Sequence, residues 1–173
     1  RGANVEGDEQ ADLRVHGGPD KAVYAYASED TAWWARELGR DDLGPGAFGE
    51  NLTLAGVDVS GAEVGERWEI GSVVLEVVQP RLPCFKLGVR FKDRSMLKRF
   101  AQASRPGAYL RIVQEGELGA GDEVRIAHRP GHGVTMALMS DAILLDHALL
   151  EEVRRAPGLI DQWHRWIDER LAA

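Results

Sequence analysis

The apolar pattern of the chain turns wholly helical beyond Arg129-Pro130-Gly131-His132-Gly133, and no other feature of its 173 residues constrains the fold as much. Before that point the apolar residues come in short runs of strand length, at 22–27, 52–54, 63–65, 67–70, 73–78, 108–113 and 123–127. Turn residues separate the runs, and closely spaced strands of this kind suggest an antiparallel barrel or sandwich. Two helical patterns interrupt them. One starts at Ser28, read as its N-cap, and ends near Gly39; the other covers 94–104. After the change everything is helical, over roughly 135–145, 146–155 and 161–171. Thr135, Asp146 and Asp161 are the expected N-caps, and Pro157-Gly158 separates the last two helices. The chain is therefore expected to be mainly β with helices (α+β). An antiparallel barrel-like domain would occupy 1–129 and a three-helix appendix 134–173. Trp163 and Trp166 lie three apart on the last helix, a face that suits docking on the barrel or on a second copy in a homodimer.

The run at 73–78 leads straight into Gln79-Pro80-Arg81-Leu82-Pro83-Cys84, which holds the only cysteine. Pro80 removes a backbone donor and should stop the strand, while Pro83 biases Leu82 toward extended backbone and stiffens the approach to the sulfur. Two readings of Cys84 fit: a small buried hydrophobe, or a thiol favoured as thiolate by the flanking Arg81 and Lys86. A single cysteine rules out an internal disulfide framework, leaves no thiol pair for a zinc site, and suits a reducing, cytoplasmic compartment. His128 and His132 stand four apart, but Pro130 and Gly131 break the helix that would align them as ligands. No phosphate-binding P-loop or dinucleotide fingerprint is present.

Charge narrows the partners. With 21 Lys and Arg against 28 Asp and Glu the net charge is −7, which argues against general nucleic-acid or membrane binding. Residues 81–111 nevertheless hold nine Lys or Arg and one acid (Asp93), a local charge of +8, and leave −15 for the rest. Such an island suits an anionic ligand, an acidic protein or a plain solvated surface; Lys98 and Arg99 either dock that protein or merely solvate their helix. No apolar run reaches membrane-span length, and the polar start lacks the apolar core of a signal peptide. The chain begins with Arg rather than Met and reads as a trimmed form.

Two glycine-rich stretches have ambiguous roles. In His16-Gly17-Gly18-Pro19-Asp20-Lys21 the glycines allow positive φ, and the amides suit either an anion-binding nest with Lys21 or a plain turn between strands. The loop 44–51 ends in Glu50-Asn51, where Asn51 suits either reading a heterocycle edge or holding the loop by its backbone.

Five stretches in order resemble the MOSC family, the domain at the C-terminal end of molybdenum cofactor sulfurases. They are Glu6-Gly7-Asp8-Glu9-Gln10-Ala11-Asp12, His16-Gly17-Gly18, Phe48-Gly49-Glu50-Asn51-Leu52, Gln79-Pro80-Arg81-Leu82-Pro83-Cys84 and Gly107-Ala108-Tyr109-Leu110-Arg111. The helical tail is similar to that of the stand-alone YiiM-type branch. The resemblance implies a β-rich barrel-like fold and a molybdopterin-type molybdenum cofactor with Cys84 as metal ligand. It implies a reductase of N-hydroxylated compounds such as purine analogues. Thiolate is a soft donor suited to such a metal. Donors for the cofactor would come from His16, Gly17, Gly18, Lys21, Asn51, Arg81 and Arg111. A persulfide carrier or transferase built on Cys84, and a cofactor carrier without turnover, are the alternatives. As a reductase the protein would receive electrons from an acidic carrier docked on 81–111.

Overall fold

A computed structural model describes residues 18–173. Its strands are β1 (Val23–Ala27), β2 (Leu52–Leu54), β3 (Arg67–Ile70), β4 (Val73–Gln79), β5 (Ala108–Gln114) and β6 (Val124–His128). Its helices are α1 (Ser28–Leu38), α2 (Phe85–Phe91), α3 (Met96–Gln102), α4 (Met136–Leu144), α5 (Leu150–Arg154) and α6 (Asp161–Leu171). The strands form one mixed sheet, curled as a half-barrel, in the order β2-β1-β5-β4-β3-β6, so the α+β class expected from the sequence is the one that forms. One edge departs from antiparallel pairing. β1 and β2 run parallel, with Ala25 opposite Leu52, because α1 and the loop after it act as the crossover that parallel strands need.

β1 explains the layering. All five of its residues are buried, and they alternate between two cores. Val23, Ala25 and Ala27 join a large cluster with Trp68, Leu75, Val77 and Leu110 of the sheet and Met136, Met139, Leu150, Val153 and Ile167 of α4–α6. Tyr24 and Tyr26 point the other way, into an aromatic cluster with Trp34, Phe48, Leu87, Phe91, Met96 and Phe100. The period of two thus divides one strand between a helix-covered core and a second core under α1–α3.

The boundary loop is tied down by buried acids. The Glu63 carboxylate accepts from the backbone N–H of Gly131 (2.6 Å), His132 (3.1 Å) and Gly133 (3.1 Å). Glu66, wholly buried, accepts from Trp68 Nε1 at 2.8 Å and Arg129 Nε at 2.7 Å. His132 is used structurally too. Its Nδ1 accepts from Val134 N (3.0 Å), so Nε2 carries the proton toward the Val64 carbonyl (2.9 Å). Residues 63–65 contribute an isolated bridge, Glu63 to Thr135, rather than the expected strand.

Several local expectations shift. Thr135 caps α4, its Oγ1 accepting from Leu138 N at 3.1 Å, and Asp146 caps a 3-10 turn, His147–Leu149, that precedes α5. Ser28 and Asp161 sit one residue inside their helices, where Ala27 and Ile160 take the cap positions. α2 was not expected, since Gly88 and Val89 are poor helix formers. It forms because Leu87 and Phe91, four apart, bury together in the aromatic core. Gly88 lets α3 come close: a Cβ there would lie 3.2 Å from Leu97 Cδ1. Among the described residues no helix is long and apolar enough to cross a membrane.

Candidate functional site

β4 ends at Gln79, and residues 80–84 run without regular structure to Cys84, which occupies the N-cap position of α2 in extended backbone. The two prolines fix this path, as expected. Cys84 is a free, partly exposed cysteine, so it is not a core hydrophobe. Its neighbourhood is set by a row of residues across the sheet. Asn51 bonds to Tyr24, Tyr24 lies opposite Tyr109, and Tyr109 lies opposite Gln79. Gln79 then leads into Arg81 and Cys84.

Arg81 is the best-held cation of this region. Its guanidinium lies 5.2 Å from the Tyr24 ring centroid and 5.7 Å from that of Phe100, and it donates to the Phe48 carbonyl. A planar cation clasped by two rings and a carbonyl keeps its orientation, each ring contributing on the order of 1 kcal/mol. From there its charge interacts with Cys84 and Tyr109. Tyr24 stays neutral, because burial pushes its phenol far above the ordinary value and Arg81 offsets this only in part; its hydroxyl donates to the Pro106 carbonyl at 2.9 Å. Burial also raises the Tyr109 phenol, with Arg81 acting against it.

The other expected site residues divide. His16 and Gly17 lie outside the described residues. Gly18 has φ +103°, a conformation that only glycine adopts readily, and it opens the 3-10 turn Pro19–Lys21. Lys21 is half-buried, and burial lowers its pKa against the pull of Asp20. Asn51 serves the loop: its Oδ1 accepts from Tyr24 N (2.7 Å) and its own N–H donates to Tyr24 O (2.9 Å), starting the β1–β2 ladder. Arg111 bonds Glu76, which Arg67 holds from the other side at 2.7 Å, and it lies 3.6 Å from Asp20. Arg111 therefore sits beside the Gly18–Lys21 turn with its charge already matched by carboxylates.

Sequence reasoning did not single out Tyr24, Phe100 or Gln79. Buried Gln79 uses both ends of its amide, donating to Asp20 O (3.2 Å) and accepting from Trp163 Nε1 (3.0 Å). It ties the turn bearing Lys21, the start of the cysteine segment and α6 to one another. The available signal was its place just before Pro80, where the ladder had to end.

A mixed, curled sheet with a lone cysteine beyond the end of a central strand defines the class, and the comparisons agree. The MOSC domain model matches residues 12–125, and the chain belongs to the MOSC domain family. YflK of Bacillus subtilis is 39% identical over 133 residues, covering 77% of this chain and 60% of that protein, so the chain spans well short of that relative's full length. YiiM of Escherichia coli is 30% identical over 171 residues, 96% of this chain and 76% of that one. A Gibberella moniliformis protein named as a reductase is 37% identical over 129 residues, 73% of this chain but only 23% of its own. In three dimensions the chain is similar to the crystal structure of YiiM from Geobacillus stearothermophilus, with a TM-score of 0.82, 30% identity and coverage of 89% and 80%. These likenesses bear out the MOSC resemblance, its YiiM-type branch and the fold.

Proposed function

We propose that this protein binds a molybdopterin-type molybdenum cofactor, with Cys84 as protein ligand to the metal, and reduces N-hydroxylated compounds to amines or amidines. The observation that carries this reading is a partly exposed thiol at the end of a proline-stiffened segment that also holds an arginine clasped by two rings and a carbonyl. Membership of the MOSC family and a relative named as a reductase support it. The donor set fits the cofactor. Among the described residues no group of three or more His, Cys, Asp or Glu could hold a bare ion, whereas a metal arriving with its own sulfur ligands needs a single soft donor.

When bound, the cofactor would supply the redox centre and an acceptor for the substrate oxygen. The chain's own groups bind and orient. Arg81 keeps positive charge beside the thiolate ligand. Tyr109, half-buried next to Arg81, presents a protonated phenol to whatever occupies the site. Gly18 and Lys21 offer an amide and an ammonium to the cofactor phosphate, and a phosphate there would favour the charged form of Lys21, whose pKa burial lowers. Asn51 holds β2 to β1 so that Tyr24 stays beneath Arg81.

The test uses protein from a host that makes the cofactor. Molybdenum per chain, reduction of an N-hydroxylated purine with dithionite, and thermal unfolding are measured for the parent and Cys84→Ser. Molybdenum and reduction should both be lost while the unfolding midpoint moves by only a few degrees, since a partly exposed Cys→Ser change costs at most about 1 kcal/mol. A variant that keeps its molybdenum, or still reduces the substrate, refutes the ligand assignment. Cyanide-labile sulfur on Cys84 without molybdenum would point to sulfur transfer instead.

A further inference from the structure

α2 begins directly after Cys84 and carries the two most exposed large apolar side chains among the described residues, Val89 at 70% and Phe85 at 69%. Four apart on one helix, they share a face, opposite the buried pair Leu87 and Phe91. Scattered exposed apolar residues are ordinary, but these two adjoin one groove of about 470 Å³ between α2 and α3, which Gly88 and Leu97 also line.

The basic island separates into two sets around this face. Arg90 donates to the Gly46 and Ala47 carbonyls, Arg99 to the Glu37 carbonyl, Arg105 to Asp30 and Arg111 to Glu76, so these arginines serve the fold. Lys86, Lys92, Arg94 and Lys98 are exposed, and among the described residues they have no ion-pair partner. Lys92 and Arg94 line the groove itself, with Asp93 between them, whose carboxylate accepts from Ser95 Oγ at 2.7 Å. The free positive charge is thus concentrated around an apolar ridge next to the cysteine, while the remainder of the chain is acidic.

We propose that this face docks an acidic electron-transfer protein, with Phe85 and Val89 as the apolar centre and Lys86, Lys92, Arg94 and Lys98 as the ring that meets its carboxylates. The inference rests on the reductase reading. Converting R–NHOH to R–NH2 and water consumes two electrons and two protons, and a reduced flavin or haem carrier, oxidised in the process, would supply the electrons. Charge complementarity selects a compact, locally acidic partner. An extended polyanion would run from the ridge onto the acidic surface and be repelled. Arg99, expected from the sequence to dock this partner, is instead bonded to Glu37, and the docking centre moves to α2. Interfaces of this kind are small, weak and salt-sensitive.

Binding of flavodoxin, an acidic flavoprotein, to the full chain should be measured by interferometry at low and high salt, with basic cytochrome c as the opposite-charge control. Turnover of the cofactor-loaded protein should be followed with reduced flavodoxin and with dithionite. The variants are Phe85→Ser with Val89→Ser, and separately Lys92→Glu with Arg94→Glu, so that one remains if the other fails to fold. Flavodoxin should bind about tenfold more weakly at high salt, and each variant should lose about tenfold in affinity and flavodoxin-driven turnover while dithionite-driven turnover stays within about twofold. Flavodoxin binding that is absent or indifferent to salt and to both variants, or equal binding of cytochrome c, overturns the proposal. If dithionite drives no turnover in the parent, the reductase reading fails, while the binding arm still decides the docking face.

Discussion

At the scale of single residues the most consequential group outside the site is Glu63, because one carboxylate organises the whole turn between sheet and helices. Burial alone would raise its pKa, but the N–H groups of Gly131, Gly133 and His132, with the His132 ring nearby, outweigh burial and hold it below the usual carboxylate value. A folded-state pKa below the unfolded one means that the contribution is fully present above the unfolded value and is lost as pH falls through the folded one. Glu63→Gln should therefore cost about 1–3 kcal/mol at neutral pH, since an amide nitrogen would face backbone donors. The gap to the parent should shrink as pH falls below the ordinary glutamate value and on through the lowered folded one, where the parent's own carboxyl takes up a proton. Urea midpoints from pH 7 to pH 3 measure this. A gap that stays constant over that range would show that the charge of Glu63 is irrelevant to the loss.

At the scale of elements, Gln79 and Trp163 decide whether α6 merely covers the sheet or also steadies the site. Trp163→Phe keeps most of the apolar contact but removes the N–H that Gln79 accepts, leaving a buried carbonyl oxygen unpaired at a cost of about 1–3 kcal/mol. Freed at that end, Gln79 should hold the Asp20 carbonyl less firmly, so the turn bearing Lys21 should loosen together with α6. Hydrogen exchange of the Lys21 amide, which bonds the Gly18 carbonyl at 3.0 Å, should quicken in the variant more than exchange of Asn51, whose amide bonds Tyr24. Equal acceleration at both would reduce the link to general destabilisation. How legible these elements were in sequence follows from where their stability originates. The end of β4 at Pro80 and the cap at Thr135 depend on local chemistry, and both are where the letters put them. α2 was invisible because its helicity comes from burying Leu87 and Phe91 in a core assembled from distant strands. The row through Asn51, Tyr24, Tyr109 and Gln79 was hidden for a related reason, since cross-strand register is a tertiary property. Cys84 and Arg81 could be named from sequence, but the rings that clasp Arg81 could not.

At the scale of the whole molecule, the residues read from sequence as an appendix share one core with the sheet. Met136, Met139, Leu150, Val153, Leu159, Trp163 and Ile167 are buried in the same cluster as Trp68, Leu75, Val77 and Leu110. The backbone is stitched as well: Met136 N donates to Ala62 O at 2.9 Å and Ala137 N to Ser60 O at 2.8 Å. Seven large side chains at about 1.5–3 kcal/mol each amount to roughly 10–20 kcal/mol of burial. That is as large as the roughly 5–15 kcal/mol by which a whole domain is stable. Neither part has a disulfide or, among the described residues, a metal-binding cluster to compensate. A chain ending at Val134 should therefore fail to unfold cooperatively, and a peptide of residues 135–173 should show only weak, gradually melting helicity. Circular dichroism and calorimetry on both fragments are the measurements. Mixing them should restore a cooperative transition, because the surfaces each exposes are the ones the other buries. A shortened chain that melts sharply within a few degrees of the parent would mean that the sheet and the aromatic core under α1–α3 suffice, and that the helices are an added module rather than half of the core.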